Sequence, residues 1–251
     1  MTTPTTQTPA QTEAEKKQLL AVSKQAESAY KKLAAEKKAR ADRIRSALFP
    51  LAGTTQKIEF GTALQYANEV SKLTGVEPAF LLAILTQESN LGANVGQCYL
   101  TNPDTGAGVG KNTGTPFWNV MKPTRDVGPF LEITTALKLN AFQTAVSCPI
   151  AGVAGWGGAM GPAQFIPSTW KIFEKRLESA LGHFANPWAP KDAFLASAMY
   201  LTDLGAFGTS ATAQSIAACR YYGSGGATCQ YGKSVANLKN TIQANIDLLL
   251  N

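Results

Sequence analysis

The sequence has few of the residues that usually bind metals. His183 is its only histidine, and no Cys-x-x-Cys pair occurs among its four cysteines. Structural and catalytic metal sites draw mainly on clustered histidine and cysteine side chains. The sequence therefore predicts no metal and no cofactor.

Long apolar runs and a secretion signal are also missing. No stretch approaches the roughly 20 consecutive apolar residues that span a bilayer, so no transmembrane segment is expected. The first residues, MTTPTTQTPAQTEAE, lack the basic and apolar regions of a signal peptide. This pattern leaves two alternatives, a cytoplasmic protein or a processed form of an exported one.

The positive charge is confined to one segment. Residues 11–46 hold ten Lys or Arg and five Asp or Glu, whereas residues 47–251 hold thirteen and twelve. A nearly neutral main body speaks against a nucleic-acid enzyme with a basic working cleft. The basic segment leaves attraction to an anionic envelope or partner open.

The N-terminal region divides into a tail and a helix. Residues 1–12 are rich in Thr, Pro and Gln, which predicts a disordered tail. Residues 13–49 predict a basic, coiled-coil-like helix with an apolar seam spaced by three and four residues. The seam consists of Leu19, Val22, Ala26, Ala29 and Leu33. It can lie on the main domain, pair with another protein or mediate self-association.

Residues 50–251 predict a single, mainly α-helical domain. Helical periodicity, opened by proline or closed by glycine, covers about 60–74, 78–92, 167–181, 190–204, 211–222 and 232–250. Residues 93–157 lack that periodicity and are dense in Gly, Thr, Asn and Pro, which predicts a long irregular insertion. The GAGVGK within the insertion is not a phosphate-binding loop, because Thr105 and Asn112 replace required motif residues.

A carboxylate occurs near the end of one core helix, in FLLAILTQESNLG. Leu81, Ile84 and Leu85 precede Glu88 by seven, four and three residues, which places Glu88 on the buried face. Burial and the negative end of the helix dipole both raise a carboxyl pKa, as a general acid near neutral pH requires. The alternative is a frayed helix end with Glu88 in water.

A glycine-rich stretch, GWGGAMGPAQFIPSTW, covers residues 155–170. Its glycines let the backbone approach another group closely. Gln164 follows them and is the kind of side chain that recognises sugar hydroxyls or an N-acetyl amide. The alternative is a packing bend in which Gln164 bonds to the backbone.

Three segments together resemble the lytic transglycosylases of bacterial peptidoglycan, a lysozyme-like superfamily, and most of all the membrane-bound B-type branch. They are LLAILTQESNLG, with Glu88-Ser89 at the Glu-Ser position, GAMGPAQFIPSTW, and AACRYYGSG. The matching regions run from about 58 to 225. Tyr222 departs from the family, which carries Asn there, and the insertion has no counterpart.

The resemblance implies a lysozyme-like catalytic domain that cleaves the β-1,4 bond between N-acetylmuramic acid (MurNAc) and N-acetylglucosamine (GlcNAc). Glu88 would protonate the leaving oxygen and then accept the proton of the muramic C6 hydroxyl, which gives a 1,6-anhydro product. It also implies a set of substrate-binding residues around Glu88. These are Ser89, Gly158, Met160, Gln164, Phe165, Tyr221 and Tyr222.

Two other functions remain open at this stage. An inverting muramidase would need a second carboxylate roughly 6.5–9.5 Å from the acid, and Asp104, Asp126 and Glu132 are the candidates. A non-catalytic wall-binding module would use aromatic side chains to stack on sugars. The aromatic candidates are Trp118, Trp156, Tyr221 and Tyr222.

The cysteines bear on the compartment. Of the three possible pairings, Cys98–Cys148 with Cys219–Cys229 closes each local loop. Four reduced cysteines in a cytosolic enzyme are the alternative. Together with a peptidoglycan substrate, disulfides predict export to the cell envelope.

Overall fold

The computed structural model describes residues 9–48, 58–224, 226 and 228–250. Two compact units meet between Ala47 and Leu48. The first unit is formed by helix α1 (Pro9–Leu48). This helix begins earlier than predicted, so residues 9–12 are helical rather than part of a disordered tail, while residues 1–8 lie outside the described residues. The seam residues Leu19, Val22 and Leu33 are exposed in α1.

The second unit contains the remaining helices and is mainly α-helical, as predicted. They are α2 (Phe60–Thr74), α3 (Pro78–Ser89), α4 (Gly128–Ala136), α5 (Pro167–Leu181), α6 (Pro190–Asp203), α7 (Ala211–Tyr221) and α8 (Gln230–Leu250). Proline opens α3, α5 and α6, where its missing N–H costs nothing. Within the described residues, no helix is long and apolar enough to cross a membrane.

Helix α3 lies at the centre of this unit. Every residue from Ala79 to Leu85 is buried, because α2, α6 and α8 all pack against the helix. A helix enclosed in this way is apolar on all faces over its first two turns. Only the last turn, with Glu88, becomes polar. The helix ends at Asn90, which adopts a left-handed conformation, and not at the predicted Gly92 cap.

The insertion is more regular than the sequence suggests. It contains an antiparallel sheet of β1 (Cys98–Asn102), β2 (Ala107–Gly110) and β3 (Pro116–Phe117), in that order. A π-helical turn (Pro123–Val127) and helix α4 follow. Strands of two to five residues offer too few alternating positions to be recognised, so the sequence does not reveal this small sheet.

Both disulfides named from the sequence are present. Cys98–Cys148 ties β1 to the far end of the insertion, beside a pair of backbone hydrogen bonds between Cys98 and Val146. Cys219–Cys229 joins the end of α7 to the start of α8. In the part of the chain that the structure describes, no cluster of His, Cys, Asp and Glu could hold a metal ion.

Candidate active site

A cleft of about 510 Å³ opens at the last turn of α3. The start of α5, the end of α7 and two parts of the insertion also border it. Among the described residues that line it, Glu88 is the only carboxylate. The lining residues are Glu88, Arg125, Trp156, Gln164, Phe165, Ile166, Thr169, Tyr200, Tyr221, Tyr222 and Gly223.

Two opposing effects set the protonation of Glu88. Burial raises the pKa of this carboxyl to about 7, although a hydrogen bond from the Tyr231 hydroxyl to Oε1 lowers it in part. A carboxyl group with a pKa near 7 can donate a proton and take one back at neutral pH. Glu88 is partly buried at the cleft, and this burial shifts its pKa in the direction that the sequence predicts.

Tyr231, on the first turn of α8, is a site residue that sequence reasoning missed. It lies 143 positions from Glu88, and the one available signal was its place two residues after Cys229. Burial, followed by the nearby Glu88 charge, raises the pKa of the Tyr231 hydroxyl, so this group stays protonated and donates. The same two causes raise the pKa of Tyr221.

Tyr222 forms an aromatic wall beside this pair. Its ring stacks on the ring of Tyr231, with centroids 4.9 Å apart and planes 17° from parallel. Tyr222 remains 63% exposed to solvent. The residue that replaces the family's Asn thus braces Tyr231 and presents a ring face to the cleft.

The first and second sequence segments are joined by buried hydrogen bonds. Ser89 donates from Oγ to the Pro162 carbonyl over 2.6 Å and accepts the Gly92 N–H over 2.9 Å. Tyr221 donates its hydroxyl to the next carbonyl, that of Ala163, over 2.9 Å. These contacts fix the glycine-rich turn against the ends of α3 and α7.

The turn itself positions Gln164 and Phe165. A backbone bond from Met160 N–H to the Phe165 carbonyl closes it over 2.9 Å. Gly161 has φ +61°, and a Cβ there would lie 1.9 Å from the Pro187 carbonyl oxygen, so only glycine fits. Gln164 also adopts a left-handed conformation, with φ 52°, and its amide donates to the Gly161 carbonyl over 2.7 Å.

The structure separates the expected substrate-binding residues into two groups. Gln164, Phe165, Tyr221 and Tyr222 line the cleft with Glu88. Ser89, Gly158 and Met160 do not: Ser89 and Met160 are buried side chains, and Gly158 packs against Val120 and Met121. These three lie behind the cleft, where they support the residues that line it.

Arg125 places a cationic guanidinium group at the cleft, and the buried carboxylate of Asp126 holds this group in position. Nε and Nη2 of Arg125 donate to Oδ2 of Asp126 over 2.8 and 2.6 Å. Ser168 donates from Oγ to Oδ1 of Asp126 over 2.6 Å. Ile166 directly precedes α5, and Oδ1 of Asp126 accepts the Ser168 N–H at the first turn of the helix.

The three carboxylates considered for a hydrolase lie outside this cleft. Asp104 and Glu132 are exposed, and Glu132 pairs with Lys171 over 3.2 Å. Asp126 is fully buried and bonded to Arg125 and Ser168. None of them is available to activate a water molecule opposite Glu88.

Fold and site define a lysozyme-like helical domain built around one carboxyl group in a cleft. The chain belongs to the transglycosylase SLT domain family, whose model matches residues 6–216. The family places the chain among the transglycosylases. The match ends before Tyr221, Tyr222 and Tyr231, so their placement comes from the geometry alone.

Solved structures share the fold at low sequence identity. The soluble lytic transglycosylase SltB1 of Pseudomonas aeruginosa is 14% identical, with a TM-score of 0.53 over 81% of this chain and 89% of that one. The Escherichia coli lytic transglycosylase Slt35, in complex with bulgecin A, is 16% identical, with a TM-score of 0.50 over 72% and 71%. A comparison with curated protein sequences finds no match.

Proposed function

We propose that this enzyme cleaves the MurNAc-β-1,4-GlcNAc bond without water, with Glu88 as its single general acid and base. The observation that carries the proposal is the raised pKa of Glu88, about 7, in a cleft whose described lining holds no second carboxylate. Two carboxylates are the rule among glycosidases that use water. A single acid is sufficient when the nucleophile belongs to the substrate.

The reaction divides into two proton transfers. Protonated Glu88 donates to the glycosidic oxygen while the bond from that oxygen to C1 of MurNAc breaks, which gives an oxocarbenium-like state supported by the 2-acetamido group. The Glu88 carboxylate then accepts the proton of the C6 hydroxyl as O6 bonds to C1. The products are a 1,6-anhydro-MurNAc end and a free GlcNAc hydroxyl, and Glu88 ends protonated as it began.

Tyr231 acts as a positioning residue in this scheme. Its hydroxyl donates to Oε1 of Glu88, which leaves Oε2 for the glycosidic oxygen. The same bond stabilises the carboxylate that forms after the first transfer. Gln164, Phe165, Tyr221 and Tyr222 border the sugars on either side, with the amide of Gln164 in reach of polar substituents.

Mass spectrometry of peptidoglycan digests tests the proposal. Wild type should release muropeptides with 1,6-anhydro ends, about 18 Da lighter than reducing-end products, and Glu88→Gln should release none. Reducing-end products from wild type would instead identify a hydrolase, and Asp104→Asn, Asp126→Asn and Glu132→Gln would then locate its base. An inactive wild type that still binds peptidoglycan would identify a wall-binding module.

The compartment and the N-terminal helix belong to the same proposal. Two disulfides support a working place outside the cytoplasm, in the cell envelope. The exposed seam of α1, Leu19, Val22 and Leu33, supports pairing with a partner helix from another protein or a second copy. Analytical sedimentation of wild type and of Leu19→Lys/Leu33→Lys tests self-association. If α1 pairs with a second copy, wild type sediments as an oligomer and the double variant as a monomer.

A further inference from the structure

Two tryptophans of the insertion form a corner at one side of the cleft. The rings of Trp118 and Trp156 lie 5.5 Å apart between centroids, with planes at 74° to each other. Trp118 is 71% exposed. A large aromatic side chain left in water forgoes most of the stabilisation that burial would provide, about 1.5–3 kcal/mol for a large apolar side chain. The fold itself therefore gives no reason for Trp118.

The backbone around this corner is fixed before any ligand binds. Asn119, next to Trp118, donates from Nδ2 to the Gly155 carbonyl over 2.6 Å and accepts the Gly157 N–H over 3.1 Å. The two bonds hold the chain on either side of Trp156 against the chain beside Trp118. Phe117 pairs with Gly108 in the sheet, which anchors the other side of Trp118.

The ring of Trp156 is also held from behind. A Cβ built on Gly106 would lie 3.0 Å from Cζ3 of Trp156, so the ring packs directly on the glycine backbone of the β1–β2 turn. A rigid aromatic surface loses little entropy when a ligand binds, which favours affinity. The insertion thus presents two aromatic rings on a backbone that hydrogen bonds hold in place.

The corner is continuous with the catalytic cleft. Trp156 lines the same cleft as Glu88 and Gln164, and the exposed Trp118, outside that lining, lies against Trp156. A polymeric substrate that passes Glu88 and leaves the cleft at Trp156 therefore meets Trp118. Extended substrates with repeating units are the ligands that such a path accommodates.

We propose that Trp118 and Trp156 form a distal sugar subsite, in which the C–H face of a pyranose ring of the glycan strand stacks on Trp118. The inference rests on the proposed function, because the strand is the same one that Glu88 cleaves. A β-linked pyranose carries its hydroxyls around the rim and C–H groups on its faces, so a flat aromatic side chain fits it without charge. The role of the insertion is then to hold long glycan strands.

Binding to strands of graded length tests the subsite. The probes are peptide-free disaccharide, tetrasaccharide and octasaccharide fragments of peptidoglycan glycan, titrated into Glu88→Gln protein by calorimetry. Trp118→Ala in this background should weaken octasaccharide binding about five- to tenfold, the size of one lost aromatic contact, and leave disaccharide binding unchanged. Trp118→Tyr should restore most of the affinity.

Phe207→Ala is the matched control, because Phe207 is 60% exposed and lies on the loop after α6, outside the cleft lining. It should leave every affinity unchanged. Equal octasaccharide affinity in Trp118→Ala and its parent would overturn the subsite, as would a loss that is the same at every length. If wild type forms no anhydro ends but Trp118-dependent binding persists, the subsite stands and the proposed reaction fails.

Discussion

At the scale of single residues, the proposed reaction depends on the pKa of one carboxyl group, that of Glu88. Burial holds the pKa of Glu88 up, and the Tyr231 hydroxyl draws it down toward about 7. Full burial without a donor would raise the pKa of Glu88 further and make it a weaker acid in the first step, and full exposure would leave it ionised at neutral pH with no proton to donate. In the proposed reaction, Tyr231 therefore adjusts the pKa of Glu88 from outside the cleft lining.

Removing the Tyr231 hydroxyl tests this balance. In Tyr231→Phe the pKa of Glu88 rises, so the alkaline limb of kcat/KM, where the acid form is lost, moves to higher pH. A hydrogen bond to a charged group contributes about 1.5–3 kcal/mol, so activity at neutral pH should fall about tenfold or more. A pH–rate profile measures both effects.

Tyr222→Phe is the control, because it keeps the ring stacked on Tyr231 and leaves the bond to Glu88 in place. Its alkaline limb should stay where wild type has it. If the alkaline limb moves equally in Tyr231→Phe and Tyr222→Phe, the shift comes from a general disturbance of the site and not from the lost hydrogen bond.

The raised pKa of Glu88 also has a cost in stability. Between the unfolded pKa of about 4.5 and the folded pKa of about 7, the folded state binds more protons, so the free energy of unfolding falls as pH rises through this window. The loss is about 3 kcal/mol at most. Glu88→Gln should therefore be more stable than wild type at pH 8 and gain little at pH 4, as urea unfolding measures. An equal gain at both pH values would contradict this origin.

At the scale of elements, the cleft depends on contacts between segments that are distant in the sequence. Helix α5 has Ile166 at its N-terminal boundary, and the acceptor at its first turn is Asp126 from the insertion. The same carboxylate holds Arg125 at the cleft. One buried group thus connects the helix start to the cleft wall.

Loss of Asp126 should be costly to folding. Asp126→Ala leaves Arg125 and Ser168 without their acceptor, and breaking a buried pair of this kind destabilises by about 3–5 kcal/mol. Chemical denaturation measures the change. Asp104→Ala is the matched control, since Asp104 is exposed and its effect should stay within about 0.5 kcal/mol. If Asp126→Ala also lowers the free energy of unfolding by no more than about 0.5 kcal/mol, the bonds of Asp126 to Arg125 and Ser168 contribute little to stability.

The Cys219–Cys229 disulfide fixes the relative positions of two tyrosines of the site, Tyr221 and Tyr231. Tyr221 follows one cysteine by two residues and Tyr231 follows the other by two, so the bond fixes both side chains relative to each other. We expect Cys219→Ser/Cys229→Ser to lower kcat about tenfold and to move the alkaline limb upward, because the bond from Tyr231 to Glu88 weakens.

The second disulfide provides the comparison. Cys98→Ser/Cys148→Ser removes the disulfide of the insertion, which lies away from Tyr231. The alkaline limb of the pH–rate profile of this variant should therefore not move. Both variants lose stability, so thermal unfolding alone cannot separate them. A limb that stays in place in the Cys219/Cys229 variant would contradict the positioning role.

At the scale of the whole molecule, charge and catalysis occupy different units. Residues 11–46 carry ten basic and five acidic groups, whereas the catalytic unit is nearly neutral. An exposed basic helix attracts anionic surfaces over about 10 Å at 0.1 M salt. The N-terminal unit is therefore the part of the molecule suited to electrostatic contact with an anionic surface.

Replacing five of the lysines of α1 tests this division. Gln at Lys16, Lys17, Lys24, Lys31 and Lys32 should weaken binding to isolated peptidoglycan sacculi and flatten its dependence on salt. Cleavage of soluble glycan fragments should not change. Co-sedimentation at several salt concentrations measures the first effect and product release the second. Wild-type binding that is already independent of salt would contradict the role of the charge.

The sequence by itself determined most of the helical fold and the place of the acid. Periodicity and terminal Pro and Gly residues located α2, α3 and α5–α8 to within a few residues, because these signals act within one helix. Glu88, Gln164, Phe165, Tyr221 and Tyr222 were expected near one another, and all of them line the cleft. The short strands and α4 escaped recognition, since each offers too few periodic positions.

The tertiary structure alone decided which distant groups meet. The bonds from Tyr231 to Glu88, from Ser89 to Pro162 and from Ser168 to Asp126 join residues 143, 73 and 42 positions apart. No local pattern encodes such pairs, because they depend on how helices and the insertion pack. That packing turned Ser89 and Met160 from expected sugar contacts into supports, and it brought Trp118 to Trp156 at the edge of the cleft.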